Sequence, residues 1–142
     1  MGFDLSGQSG NYFRNNVWYW RPLWQYIVQT CDIPEKTAGY YNDGVLVGKK
    51  TCERIVRVIE ALLEDNLVDI YAKEYKRRQD VLPDETCTYC KGEGIRKGVQ
   101  GLCNGCRGKG TVRPWSTQYP FTVENVREFV SFVKDSDGFR IY

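Results

Sequence analysis

At 142 residues, 42% of them hydrophobic, the chain is long enough to bury a core of its own without help from metal or disulfides. It has no histidine, and its basic residues exceed its acidic ones by only two. Those counts exclude a histidine base and a polycation that binds nucleic acid by charge alone. No apolar run approaches the roughly 20 residues a membrane helix needs. Met1-Gly2-Phe3-Asp4 lacks the basic-then-apolar layout of a secretory signal. The expectation is therefore a soluble, cytoplasmic protein.

Residues 1–16 read as loop except at the start, where Gly2-Phe3-Asp4-Leu5 alternates like Gly138-Phe139-Arg140-Ile141 at the other end. Asp4 and Arg140 carry opposite charges, so the two termini are expected to pair as strands. From Tyr12 to Tyr26, seven of fifteen positions are aromatic. Pro22 suits the first turn of a helix, which places the first helix at about 22–31, with Leu23 and Ile27 on one face. Residues 32–48 contain Pro34, Gly39 and Asn42-Asp43-Gly44 and read as a loop with a tight turn. Gly48-Lys49-Lys50-Thr51 only brushes against a phosphate-binding loop.

A second helix is expected over 49–65, with Cys52, Ile55, Val56, Ile59, Leu62 and Leu63 facing the core. A third, over 68–81, follows a break at Asn66 and ends in Lys76-Arg77-Arg78, where basic charge complements the helix dipole. Pro83 and Pro114 bracket a cysteine-rich excursion. Trp115 to Pro120 reads as irregular. Thr122 then caps a fourth helix over 123–134, with Val123, Val126, Val130 and Val133 inward. The fold class is thus mainly helical α+β. About four helices and paired terminal strands form a single domain, 1–142, and a four-cysteine zinc hairpin is inserted at 83–114.

The excursion carries the chemistry. Cys87-Thr88-Tyr89-Cys90-Lys91-Gly92-Glu93-Gly94 and Cys103-Asn104-Gly105-Cys106-Arg107-Gly108-Lys109-Gly110 repeat C-x-x-C-x-G-x-G. Two such turns aim four thiolates at one point, which makes Cys87, Cys90, Cys103 and Cys106 the ligands of one zinc per chain. A redox dithiol is the competing reading of the pairs. Between them, Ile95 to Gln100 fits a short hairpin turning near Lys97-Gly98. Cys31 and Cys52 stand apart and read as small buried hydrophobes.

The repeats resemble the cysteine-rich zinc region of DnaJ-type chaperones, over residues 87–110 only. That region has four repeats and two zincs in the family, whereas this chain has two repeats and room for one. The family stimulates its Hsp70 partner through a J domain with a His-Pro-Asp motif, and a chain without histidine lacks that motif. Elsewhere, Tyr12-Phe13-Arg14-Asn15-Asn16-Val17-Trp18-Tyr19-Trp20-Arg21-Pro22-Leu23-Trp24 and Phe121-Thr122-Val123-Glu124-Asn125-Val126 resemble stretches of a family of small uncharacterised bacteriophage and prophage proteins. That resemblance implies an accessory protein that binds and modulates a host component, such as a defence protein.

Charge is uneven along the chain. Residues 87–114 carry six basic groups and one acidic, against 11 and 13 in residues 1–86. Four thiolates and one Zn²⁺ contribute −2, which leaves that stretch at +3 and the whole chain neutral. Catalysis has little to work with, because a four-thiolate zinc leaves no open position for water and no carboxylate pair stands out. The expectation is a non-enzymatic, zinc-stabilised interaction protein with a host protein as partner. Arg96 and Lys97 at the hairpin tip, Arg107, Lys109, and part of Trp18, Tyr19, Trp20 and Trp24 are expected to form the contact surface. The alternatives are RNA or single-stranded DNA held by the basic lobe, with Lys91, Arg113, Tyr89 and Trp115 contributing, and a small ligand in an aromatic pocket. The oligomeric state and the partner's identity are not written in these residues.

Overall fold

The computed structural model describes residues 1–34 and 39–142. Residues 35–38 of the loop expected over 32–48 lie outside the described residues. In chain order the elements are β1 (Gly2–Gly7), β2 (Tyr12–Asn16), α1 (Val17–Thr30), β3 (Val45–Val47), α2 (Lys49–Glu64), α3 (Leu67–Asp80), β4 (Glu85–Thr86), β5 (Thr111–Val112), α4 (Val123–Lys134) and β6 (Phe139–Ile141), with a 3-10 turn at Trp115–Gln118 before α4. This is the expected α+β class, with four helices and strands at both ends. The chain divides into two compact units, residues 1–76 with 119–142, and residues 77–118. The second is broader than the proline-bracketed 83–114.

In the first unit the alternating termini do pair, with Leu5 opposite Ile141 and Gly7 opposite Phe139. The charges do not pair as expected, because Ser6 faces Arg140 and Asp4 instead faces Arg14 across the β1–β2 hairpin, at 3.6 Å. That hairpin replaces the loop expected over residues 1–16. It turns at Gly10, whose φ of +94° is open to glycine, and it is closed by Gly7 N–H donating to the Asn11 carbonyl at 2.8 Å. Asn11 also donates to the Phe132 carbonyl at 2.9 Å, which ties the turn to α4. The result is a four-stranded antiparallel sheet in the order β2-β1-β6-β3.

Helix α1 starts at Val17, not Pro22. Asn16 caps it by accepting from the Tyr19 N–H at 3.0 Å, so a capping signal just before the aromatic run outranks the proline. Pro22 then sits inside the helix, where a missing donor costs about 3 kcal/mol. What offsets this is Trp20 and Trp24 on either side of it, both 0% exposed. At about 25 cal/mol per Å², and about 150–250 Å² per ring, each contributes about 4–6 kcal/mol. Their rings stack at 5.2 Å, Phe3 stacks on Trp20 at 5.6 Å, and the Trp20 indole donates to the Gly39 carbonyl at 2.6 Å.

The remaining elements close this core. On α2, Cys52, Ile55 and Ile59 are buried and Val56, Leu62 and Leu63 are half-buried, as the helical stripe predicts. Thr122 caps α4 by accepting from the Asn125 N–H at 3.2 Å, and Phe129, Val126 and Val133 point inward. Asn125 and Asn15 are buried against each other, with Nδ2-to-Oδ1 distances of 2.6 and 3.3 Å, so neither amide is left orphaned. Tyr26, Tyr71, Tyr75 and Phe121 form a second aromatic group at the edge of the core. Among the described residues, no helix is long and apolar enough to cross a membrane.

Candidate metal centre

Residues 77–118 are built around sulfur. β4 and β5 pair antiparallel, Glu85 with Val112 and Thr86 with Thr111, and so bring the two ends of the cysteine-rich stretch side by side. Arg113 staples the base of this unit, donating to the Leu82 carbonyl at 2.6 Å, the Gln79 carbonyl at 2.8 Å and the Asp84 carboxylate at 2.8 Å. Its guanidinium is thus engaged within this unit, although the side chain stays exposed.

Beyond β4 each repeat folds in the same way. Lys91 and Arg107 have φ of +55° and +56°, and the glycines that follow, Gly92 and Gly108, have +88° and +83°. The turns are then locked across one another. Cys87 N–H donates to the Gly110 carbonyl at 2.9 Å, and Cys103 N–H to the Gly94 carbonyl at 2.8 Å. At these two glycines the spacing leaves no choice of residue. A Cβ on Gly94 would lie 2.6 Å from the Gly108 carbonyl oxygen, and one on Gly110 would lie 2.5 Å from that of Gly92.

The four sulfurs lie within 4.8 Å of one another, and all four cysteines are buried and free of disulfides. Cys90 and Cys106 Sγ are 3.7 Å apart, and Cys87 and Cys103 Sγ 4.0 Å. Backbone N–H groups point at the sulfurs, Gly94 to Cys90 at 3.2 Å and Gly110 to Cys106 at 3.1 Å. Burial opposes charge on the Cys90 thiol. The Gly94 and Gly92 N–H groups and the neighbouring Cys106 and Cys87 thiols outweigh it and hold Cys90 down at about 7. Cys106 goes the other way, pushed up by burial and by the Cys90 and Cys103 sulfurs despite the Gly110 N–H. Four buried sulfurs gathered this closely can hold a metal ion. By contrast, burial pushes the Cys31 and Cys52 thiols up, and both lie in the core of the other unit. They are the small hydrophobes expected.

Of the expected contact residues, Lys97, Arg107 and Lys109 are exposed. Arg96 is half-buried, its guanidinium 5.1 Å from the centre of the Tyr89 ring and its Nη1 donating to Asn104 Oδ1 at 3.0 Å. Trp20 and Trp24 must be withdrawn, because both are wholly inside the core of the first unit. Trp18 is half-buried against Tyr119 at 4.9 Å, and Tyr19 is exposed. Missed in the sequence were Ile95 and Leu102, which face each other across an isolated antiparallel bridge and stay exposed. Two apolar residues flanking the turn, three positions before Gly98 and four after it, were the available signal. No family model, curated protein or solved structure matches the chain.

Proposed function

We propose that this protein is a non-enzymatic, zinc-stabilised interaction protein whose metal-bound unit presents a rigid hairpin to a protein partner. The observation that carries the metal reading is the sulfur geometry. Zinc–sulfur bonds of about 2.3 Å at tetrahedral angles separate the ligand sulfurs by about 3.8 Å; two of the sulfur pairs stand at 3.7 and 4.0 Å, and all four sulfurs lie within 4.8 Å of one another. Soft thiolates in a closed set of four favour zinc over harder cations and leave no position for a reacting water. Zinc therefore serves the shape of the unit. It replaces a hydrophobic core that a stretch rich in glycine, lysine and arginine does not supply.

The interaction reading rests on what remains at the surface once that shape is fixed. Arg96, Lys97, Arg107 and Lys109 project from a short, metal-pinned scaffold, so little order is lost when they engage a partner. In the setting that the bacteriophage and prophage resemblance implies, the partner is a host protein and the outcome is its modulation. Two measurements test this. Metal analysis of protein purified without chelator should return one zinc per chain, and none or two would overturn the metal reading. Capture from host lysate after nuclease treatment should survive in the parent and fall in Arg96→Ala/Lys97→Ala at unchanged zinc content. Loss of capture on nuclease treatment would instead favour nucleic acid.

A further inference from the structure

We infer that the hairpin face built from Tyr89, Ile95, Arg96, Lys97 and Leu102 is a docking site for a short peptide segment that combines apolar side chains with carboxylates. This inference rests on the interaction reading above and names the chemistry of the partner. Exposure is the first observation. Ile95 is 58% exposed, Leu102 65% and Tyr89 66%. In a unit whose interior is sulfur, three large apolar groups left more than half in water form a surface that a partner can cover.

Position is the second observation. Ile95 and Leu102 are opposite each other across an antiparallel bridge, so their side chains leave the hairpin on the same side. Ile95 also lines a cleft of about 390 Å³ with Tyr89, Lys91, Glu93, Arg96 and Lys97. Leu102 is braced beneath by Gly108, and Tyr89 by Gly105, where in each case a Cβ would meet the larger side chain at 3.0 Å or less. The face is thus a fixed one.

Charge selects the occupant. Three cations and one carboxylate line the cleft, and the 87–114 stretch keeps +3 after the loaded centre's −2 is counted. Arg96 is preset by the Tyr89 ring and Asn104, and a guanidinium held in place recognises a carboxylate at low entropic cost. Nucleic acid fits less well. Single-strand binders need free aromatic faces on which bases stack, whereas the Tyr89 ring already carries Arg96 and packs on Gly105. Isoleucine and leucine offer aliphatic surface, which suits apolar side chains.

The test uses the full zinc-loaded protein and three labelled probes, followed by fluorescence anisotropy. They are a short peptide alternating leucine and aspartate, the same peptide with lysine for aspartate, and oligouridylate. The aspartate peptide should bind at least about tenfold more tightly than either other probe, a difference of about 1.4 kcal/mol. Leu102→Ser and Ile95→Ser should each weaken it several-fold with zinc content unchanged. Arg96→Gln/Lys97→Gln should weaken it and flatten its salt dependence. Equal binding of the lysine peptide, preference for oligouridylate, indifference to both sets of variants, or no binding of any probe would overturn the inference. Zinc content measured on the same samples separates the readings. A loaded unit that ignores the aspartate peptide defeats this inference alone, whereas a unit without zinc defeats the metal reading beneath it.

Discussion

The two units of this chain solve the same problem with different chemistry. In the first, 22 buried apolar or cysteine side chains among the described residues form one cluster that includes Trp20, Trp24, Phe129 and Phe139. In the second, the buried residues are the four cysteines, Gly94, Gly110 and Pro114, with Val112 partly covered. Burial of apolar area is non-directional and accumulates over many residues, so the first unit tolerates local losses. A metal centre concentrates stabilisation on four bonds, so with the metal reading proposed above the second unit would be all or nothing. The difference explains how glycine can fill one unit without harm while it would weaken the other.

Chelation should separate the two most sharply. Structural zinc is worth about 10–16 kcal/mol in small fingers, far more than the second unit has from other sources. Removing the metal, or Cys103→Ala, should abolish hydrogen-exchange protection over 87–110 while α1, α2 and α4 keep theirs. Loss of protection in those helices would break the comparison. Acid should approach the same end more gradually. Cys90 is depressed in the folded state to about 7, so its thiolate contributes fully above its ordinary pKa and is lost as pH falls through about 7. Metal retention should therefore decline from pH 8 toward pH 5, by up to about tenfold in affinity per pH unit for each thiol that must ionise. A metal affinity, measured by competition with a chelator, that did not vary over that range would show that these sulfurs do not hold the ion.

The next largest effect belongs to the first unit alone. Trp24→Ala should cost about 3–5 kcal/mol in urea unfolding and leave metal content untouched. Gly110→Ala is the mirror case. Its φ of +78° and the Gly92 carbonyl 2.5 Å from a new Cβ should cost about 1–3 kcal/mol, felt as weakened metal binding with no change in the urea midpoint of the helical signal. The mildest is Thr122→Ala, which removes the α4 cap and should cost about 1 kcal/mol. If either of these two changed the other unit's readout, the units would not be independent.

Legibility followed the same division. The four-cysteine cluster could be read directly because C-x-x-C-x-G-x-G encodes its geometry locally, in residues a few positions apart. Helices α2 and α4 were equally clear, since Ile55 and Ile59, or Val126 and Val133, mark a face by spacing alone. The N-terminal segment was harder. Pro22 is a strong local signal, and it takes the Asn16 cap together with the tertiary burial of Trp20 and Trp24 to override it. The turn of the β1–β2 hairpin is also tied by Asn11 to Phe132, a contact across most of the sequence. The partnership of Asp4 with Arg14 depended on a strand register that alternation could not specify. The exposed pair Ile95 and Leu102 escaped notice because apolar residues are assumed to go inward, and a unit with a sulfur interior has no inward place for them.

The pairing of β4 with β5 sets Glu85 beside Val112, so the polypeptide leaves and rejoins the same spot. Everything from Cys87 to Gly110 is consequently a cassette with a single attachment point. Replacing it with an Asn-Gly turn between Thr86 and Thr111 would leave a plain two-stranded ribbon in its place. Such a segment can be lost, duplicated or exchanged for one with different tip residues in a single genetic event, without renegotiating the aromatic core. The surface it presents is thereby free to diverge faster than the body that carries it.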